Sequence, residues 1–321
     1  MSYKTLWQGR VDAEDGEAGL RWHQVVKFDN IHSASDTLTL IGYPDDTGIA
    51  ANKGRVGAAG GPNAIRQSLA NLPWALKHTL IDVGDTPVFD ELIKTQASFA
   101  TKVYQALQSG SSVIGLGGGH DIAWASYQGL AQHTTQRIGI INFDAHLDLR
   151  KPDPVGTSGT PFRQIAEHCH THDKKFTYTC LGVSRAANTQ ALFDYARQSQ
   201  TRMLYDVDFT LEKAQHLLSP MLAEIDQLYV TVCLDAFPIA LCPGVSAPSA
   251  LGINPVEMIK ILQWLGNACT ENDVVWQLSD IAELNPTLDS DNKTARFAAR
   301  IAFELAGAMQ YTSHVGKNEQ R

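Results

Sequence analysis

Eight short runs rich in β-branched and apolar residues recur along the chain, and between most of them lie stretches with helical periodicity. The runs are TLTLIGYP (37–44), TLIDVGD (79–85), SSVIGLGGG (111–119), RIGIINFDAH (137–146), KFTYTCLGVS (175–184), RMLYDVDF (202–209), LYVTVCLDAF (228–237) and VVWQLSDIAE (274–283). Most are apolar almost throughout rather than alternating. A strand of that kind is buried on both faces and belongs to a mainly parallel sheet covered by helices. IAWASYQGLAQH and PVEMIKILQWLGNAC have the pattern of such helices, and Phe297, Ile301, Leu305 and Met309 repeat every four residues as one apolar stripe. No repeat, low-complexity tract or linker divides the 321 residues. The chain reads as a single three-layer α/β/α domain, with a core at about 37–312 behind an N-terminal extension at 1–36.

Charge and cysteine usage exclude several classes of function. The net charge of −8, from 34 acidic and 26 basic residues, argues against nucleic acid or an anionic membrane as the main partner. Cys169, Cys180, Cys233, Cys242 and Cys269 are odd in number and show no CxxC spacing, so neither a disulfide framework nor a thiolate zinc site is expected. Nothing reads as a signal peptide or as a span of about 18 apolar residues. The expectation is a cytoplasmic protein acting on a small molecule.

In a parallel α/β sheet, ligands bind beyond the carboxyl ends of the strands. There the segment INFDAHLDLR (141–150) carries Asp144, His146 and Asp148, each two residues from the last. In an extended segment such residues share a side. A solvated loop is the bland alternative, but the apolar run before Asp144 predicts burial. Two buried carboxylates and an imidazole crowd together at high cost unless a cation sits among them. LGGGHD (116–121) admits a rival reading, because G-x-G follows a strand, opens a helix and precedes Asp144 as a dinucleotide fingerprint would. That reading puts His120 where a small residue belongs and has no use for His146 or Asp148; a metal site uses all four. In VTVCLDAFP (230–238), Cys233 and Asp235 are again two apart. Cys233 alone could be a small buried hydrophobe, whereas an unpartnered Asp235 in an apolar run is expensive. In SDIAELNP (279–286), Glu283 follows a buried run and either pairs with a cationic substrate group or is a loop acid.

GGGHD, NFDAHLDLR, CLDAFPIALCPGVSAPSALG and SDIAELNP, in that order, with NKGRVGAAGGPNAIR (52–66), resemble the ureohydrolases: arginases, agmatinases and formimidoylglutamases. The likeness spans about residues 37–310. It implies an arginase-like sheet of eight parallel strands and two Mn²⁺ per subunit that activate water against an amidine or guanidine C–N bond. By position, His120, Asp144, His146, Asp148 and Asp235 match metal ligands. Asp148 also matches the carboxylate that relays the water proton, and Glu283 the acid that receives the substrate's cationic group. Arginases and agmatinases usually carry a His in an S-G-x-x-H-G-x-P segment that TSGTPFRQ (157–164) lacks. With NKGRVGAA, GVSRAANT and PGVSAPSALG, this resembles the formimidoylglutamase branch, which converts N-formimidoyl-L-glutamate and water to L-glutamate and formamide in histidine degradation. The two substrate carboxylates call for cations, with Arg185 beside Asn188 the first choice and Arg55 and Arg150 behind it. Cys233 stands where the family has an Asp bridging both metals, so it is either a thiolate ligand or a neutral gap that weakens the second ion. Other readings are an agmatinase or guanidino-acid ureohydrolase, or a metal-depleted relative serving as a binding protein. The family often forms trimers or hexamers, which is compatible with a homo-oligomer, but the sequence itself does not reveal the oligomeric state.

Overall fold

The computed structural model describes residues 2–28 and 36–310. Each of the eight runs contains one strand: β1 (Thr37–Gly42), β2 (Thr79–Asp85), β3 (Ser112–Leu116), β4 (Ile138–Phe143), β5 (Thr177–Val183), β6 (Arg202–Tyr205), β7 (Gln227–Cys233) and β8 (Val275–Ala282). They form one sheet in the order β2-β1-β3-β8-β7-β4-β5-β6, and every neighbouring pair is parallel. Strands β1, β3, β4, β5 and β7 are buried at every position, which is why their sequences do not alternate.

Among the described residues ten α-helices accompany the sheet: α1 (Trp22–Val25), α2 (Thr47–Ala51), α3 (Gly61–Leu69), α4 (Leu92–Gln108), α5 (Ile122–His133), α6 (Pro161–Thr171), α7 (Gln190–Gln198), α8 (Leu211–Leu222), α9 (Pro255–Glu271) and α10 (Lys293–Met309). The apolar faces of α3, α8, α9 and α10 close one core against the sheet, and those of α4 to α7 close another on its opposite face. The four-residue stripe does what its spacing predicts. Ile301, Leu305 and Met309 are buried, and Phe297 meets Phe237 edge-on at 4.6 Å. Helix α9 begins where the Asn254 side chain accepts hydrogen bonds from the Val256 and Glu257 amides, with Pro255 in its first turn.

The N-terminal extension packs against the β2 edge. The Lys27 amide donates to Leu80 O and Lys27 O accepts from the Asp82 amide, both at 2.9 Å, so part of the open edge is paired. Trp7 Nε1 donates at 2.8 Å to Asp82, whose carboxylate also holds the buried Arg66 at 2.8 Å. Residues 29–35 of the predicted extension lie outside the described residues.

Strand order sets the site. Beyond β3 the chain crosses to β4, and β8 and β7 later fill the space between them. This is a topological switch point of the kind where α/β sheets bind ligands. The register places Leu116, Ile281, Val232 and Phe143 in one row across these four strands. His120, Glu283, Cys233 and Asp144 follow that row by only four, two, one and one residues. The chemistry-bearing residues therefore emerge side by side.

Candidate metal centre

Local turns, not strand alternation, bring the side chains together. Strand β4 ends at Phe143, so Asp144, His146 and Asp148 are not on an extended segment. Asp144 Oδ1 instead accepts the His146 amide at 2.7 Å, closing an Asx-type turn. Asp148 sits at φ 48°, a left-handed conformation that Asp tolerates better than most residues. Strand β7 likewise ends at Cys233, and a 3₁₀ turn over Leu234–Ala236 folds Asp235 back, so that Cys233 Sγ donates to Asp235 Oδ1 at 2.8 Å. Glu283 is held at φ 73° by its amide, which donates to Gly118 O at 2.8 Å. A bulky side chain in that region costs on the order of 1 kcal/mol, and such strain collects at functional sites.

The glycine run before His120 serves the protein's own packing. A Cβ on Gly118 would lie 2.0 Å from Asp45 O, and one on Gly117 2.6 Å from Ile281 O. The amides of Gly117 and Gly119 donate to Ile281 O and Asp45 O. The His120 amide donates to Glu283 Oε1 at 3.0 Å. These donors are spent internally rather than offered to a pyrophosphate, and the dinucleotide reading loses its structural basis.

Two groups of potential ligands result: His120, Asp144 and Cys233 in one, and Asp144, His146 and Asp235 in the other, with the donor atoms of each within 4.8 Å of one another. Asp144 belongs to both, as a carboxylate shared by two ions would. The metal-binding fit is tested best at His120. Its Nδ1 lies 3.0 Å from Asp144 Oδ2 and 2.9 Å from Asp148 Oδ2, yet this buried atom makes no hydrogen bond. A buried ring nitrogen without a hydrogen bond, facing two carboxylates, calls for a cation. Asp148 closes on His120 but stands outside both tight groups.

The electrostatics agree. Burial opposes charge on His146, but Asp235 and Asp144 beside it push its imidazole up to about 12. His120, also opposed by burial, is raised well above the ordinary value by Asp144 and Asp148. Burial and then Asp144 push Asp148 up to about 6, while burial and then Asp235 push Glu283 up to about 8. Burial and the surrounding carboxylates raise the Cys233 thiol well above its usual range. The cluster is short of positive charge, as a site for divalent cations should be.

A cavity of about 380 Å³ opens above these groups, and His120, His146, Asp148, Cys233, Asp235 and Glu283 lie in its lining. Asn188 also lines it, but its amide braces the metal loop, accepting from Leu147 N and donating to Ala145 O and Ser184 O at 2.8–2.9 Å. Arg185 is not among the lining residues; its guanidinium stacks 4.4 Å over the Tyr205 ring. Arg55 does line the cavity, although its guanidinium is committed to Val245 O and Ser246 O. Arg150 and Lys53 line it too, and both are exposed. Sequence reading overlooked Lys53, although it stands inside the quoted NKGRVGAA segment. What ties that segment to SDIAELNP is Asn285, whose Nδ2 donates to Arg55 O and Val56 O.

A parallel eight-stranded sheet that gathers two groups of candidate metal ligands around one shared aspartate at its switch point is the architecture of the arginase-family hydrolases. The arginase-family model matches residues 36–307, and the chain belongs to that family. Among its curated relatives, a formimidoylglutamase of Hahella chejuensis is 46% identical over 317 residues, covering 96% of each chain. A formimidoylglutamase of Ralstonia nicotianae is also 46% identical, over 92% of this chain and 93% of that one. The crystal structure of Bacillus subtilis formimidoylglutamase superposes with a TM-score of 0.79 at 22% identity, covering 91% of this chain and 92% of that one. Trypanosoma cruzi formiminoglutamase, solved with Mn²⁺, superposes with a TM-score of 0.73 at 24% identity, covering 89% and 97%. Among the described residues no helix is long and apolar enough to cross a membrane.

Proposed function

We propose that the protein hydrolyses N-formimidoyl-L-glutamate to L-glutamate and formamide with two Mn²⁺ in the paired ligand groups, as a cytoplasmic enzyme of histidine degradation. The observation that carries this is Asp144 shared between two ligand groups whose other members, His120, His146, Cys233 and Asp235, line a cavity that also bears Arg150 and Lys53. The identity to proteins named formimidoylglutamase supports the choice of substrate. Oxygen and imidazole donors suit Mn²⁺, and a pair of such ions supplies a water acidic enough to attack at neutral pH. His120, Asp144 and Cys233 would hold one ion, and Asp144, His146 and Asp235 the other.

The chain's own groups do the rest. Glu283 receives the amidinium through charge-assisted hydrogen bonds, and the arriving cation favours the carboxylate form that burial opposes. Asp148, which closes on His120 and lines the cavity, is the carboxylate placed to take a proton from the attacking water and pass it toward the departing glutamate nitrogen. Arg150 and Lys53 offer opposite charge to the two substrate carboxylates. Ser158, in the segment where arginases and agmatinases usually carry His, lines the cavity and accepts from Asn52 Nδ2 at 3.2 Å.

Formamide release from formimidoylglutamate is expected to exceed urea release from arginine or agmatine, measured side by side on Mn²⁺-loaded protein. Faster urea release from either compound would replace this substrate with a guanidine. Glu283→Gln is expected to raise KM and lower kcat with metal content unchanged, since the amide keeps the shape and loses the charge. Arg150→Ala should raise KM with much less effect on kcat, because it is an exposed cation of the cavity wall and belongs to neither ligand group. Unaltered kinetics in either variant would remove that residue from substrate contact.

A further inference from the structure

Beneath His120 runs a chain of buried hydrogen bonds that the reaction itself does not use. His120 Nε2 lies 3.0 Å from Thr231 Oγ1. Thr231 Oγ1 donates to Asp280 Oδ1 at 2.5 Å. Ser126 Oγ and Tyr229 OH both donate to Asp280 Oδ2 at 2.6 Å. His120, Ser126, Tyr229, Thr231 and Asp280 are all no more than 1% exposed. Thr231 and Asp280 are register partners on β7 and β8, so the two central strands hold the chain in place.

Proton counting gives this chain a direction. A hydroxyl has one proton to donate, and Thr231 spends it on Asp280. Toward His120 it can only accept, so Nε2 carries the hydrogen. In the neutral imidazole that binds a metal, Nδ1 is then left with its lone pair aimed between Asp144 and Asp148, where it has no hydrogen bond. We propose that Thr231 and Asp280 are positioning residues that select the His120 tautomer able to ligate metal through Nδ1. The proposal rests on the reading of His120 as a metal ligand. Outer hydrogen bonds of this kind fix both ring orientation and tautomer in metal sites generally.

Asp280→Asn makes the sharpest test. Two hydroxyls donate to Oδ2, so the amide would turn its carbonyl there and its NH₂ toward Thr231. Thr231 would then donate its hydrogen bond to His120 Nε2, which can accept it only through its lone pair, favouring the tautomer with Nδ1 protonated. Mn²⁺ binding to metal-stripped full-length protein, followed by calorimetry and by electron paramagnetic resonance, reads the outcome without relying on turnover. Asp280→Asn and Thr231→Val are expected to weaken one of two Mn²⁺ sites by about 10–100-fold, while Thr231→Ser stays within about threefold of the parent. Melting of the stripped variants checks folding, and where Thr231→Val does not fold, Asp280→Asn and Thr231→Ser decide. Parental affinity in Asp280→Asn overturns the proposal, as does equal loss in Thr231→Ser, which would mean packing rather than tautomer. His120→Ala separates the two levels. If it too binds both ions as the parent does, the ligand reading itself falls; if it loses one ion while Asp280→Asn loses none, only the tautomer proposal falls.

Discussion

Asp144→Ala is expected to abolish formamide release and to leave the protein unable to hold two Mn²⁺. Among the described residues, Asp144 alone belongs to both ligand groups. Removing it takes a donor from each ion, whereas His146→Ala takes a donor from one. Loss of an outer-shell partner typically costs roughly 10–100-fold in metal affinity or activity, and a shared direct ligand should exceed that. Asp144 also holds the turn by accepting from the His146 amide and from Asn142 Nδ2. Asp144→Asn is therefore the companion variant, because it keeps the shape while losing the charge that balances two cations. Both variants should show reduced metal by elemental analysis and no turnover above background. Full activity at reduced metal content would sink the two-metal mechanism.

Much of this centre was legible in the sequence, and the reason is local. A strand buried on both faces has to be apolar along its length, so all eight strands announced themselves, and their ends marked where polar groups would emerge. His120, Asp144, His146, Cys233, Asp235 and Glu283 stood out because ionisable or reactive groups beside such runs are costly without a purpose. How they converge was not legible. Alternation was expected to point Asp144, His146 and Asp148 one way, but β4 stops at Phe143 and a turn does the work. Arg185 follows a strand, yet two strands, β7 and β4, separate β5 from β8 in the sheet, and its cation turns onto Tyr205. Thr231 and Asp280 were invisible for a different reason. A Thr inside a buried strand is ordinary, and its partnership with Asp280 exists only through the β7–β8 register, which no local pattern encodes.

Cys233 is where the chain departs from the family's aspartate, and its substitutions should separate two roles. It is 1% exposed but lines the cavity, and it stands within reach of His120 and Asp144 as one of three donors. Without metal it is a neutral thiol, because burial and then Asp144 raise it well above the usual range, and its hydrogen is given to Asp235 Oδ1. A divalent ion in that group can take the proton's place, since coordination deprotonates a thiol outright. Metal uptake then releases a proton, so affinity should rise with pH, and more steeply than in Cys233→Asp, whose carboxyl is the stronger acid. Thiolate is the softer donor and should shift preference from Mn²⁺ toward Zn²⁺ or Fe²⁺. Cys233→Asp is accordingly expected to keep formamide release, bind Mn²⁺ more tightly and lose sensitivity to peroxide, because oxidation to the sulfenic acid removes the ligand. Cys233→Ala is expected to lose metal and activity together. The checks are Mn²⁺ titration, turnover before and after peroxide, and metal content after dialysis. Were Cys233→Ala to bind metal and turn over as well as the parent, Cys233 would be a small residue of the core, and the first ion would be held by His120 and Asp144 without it.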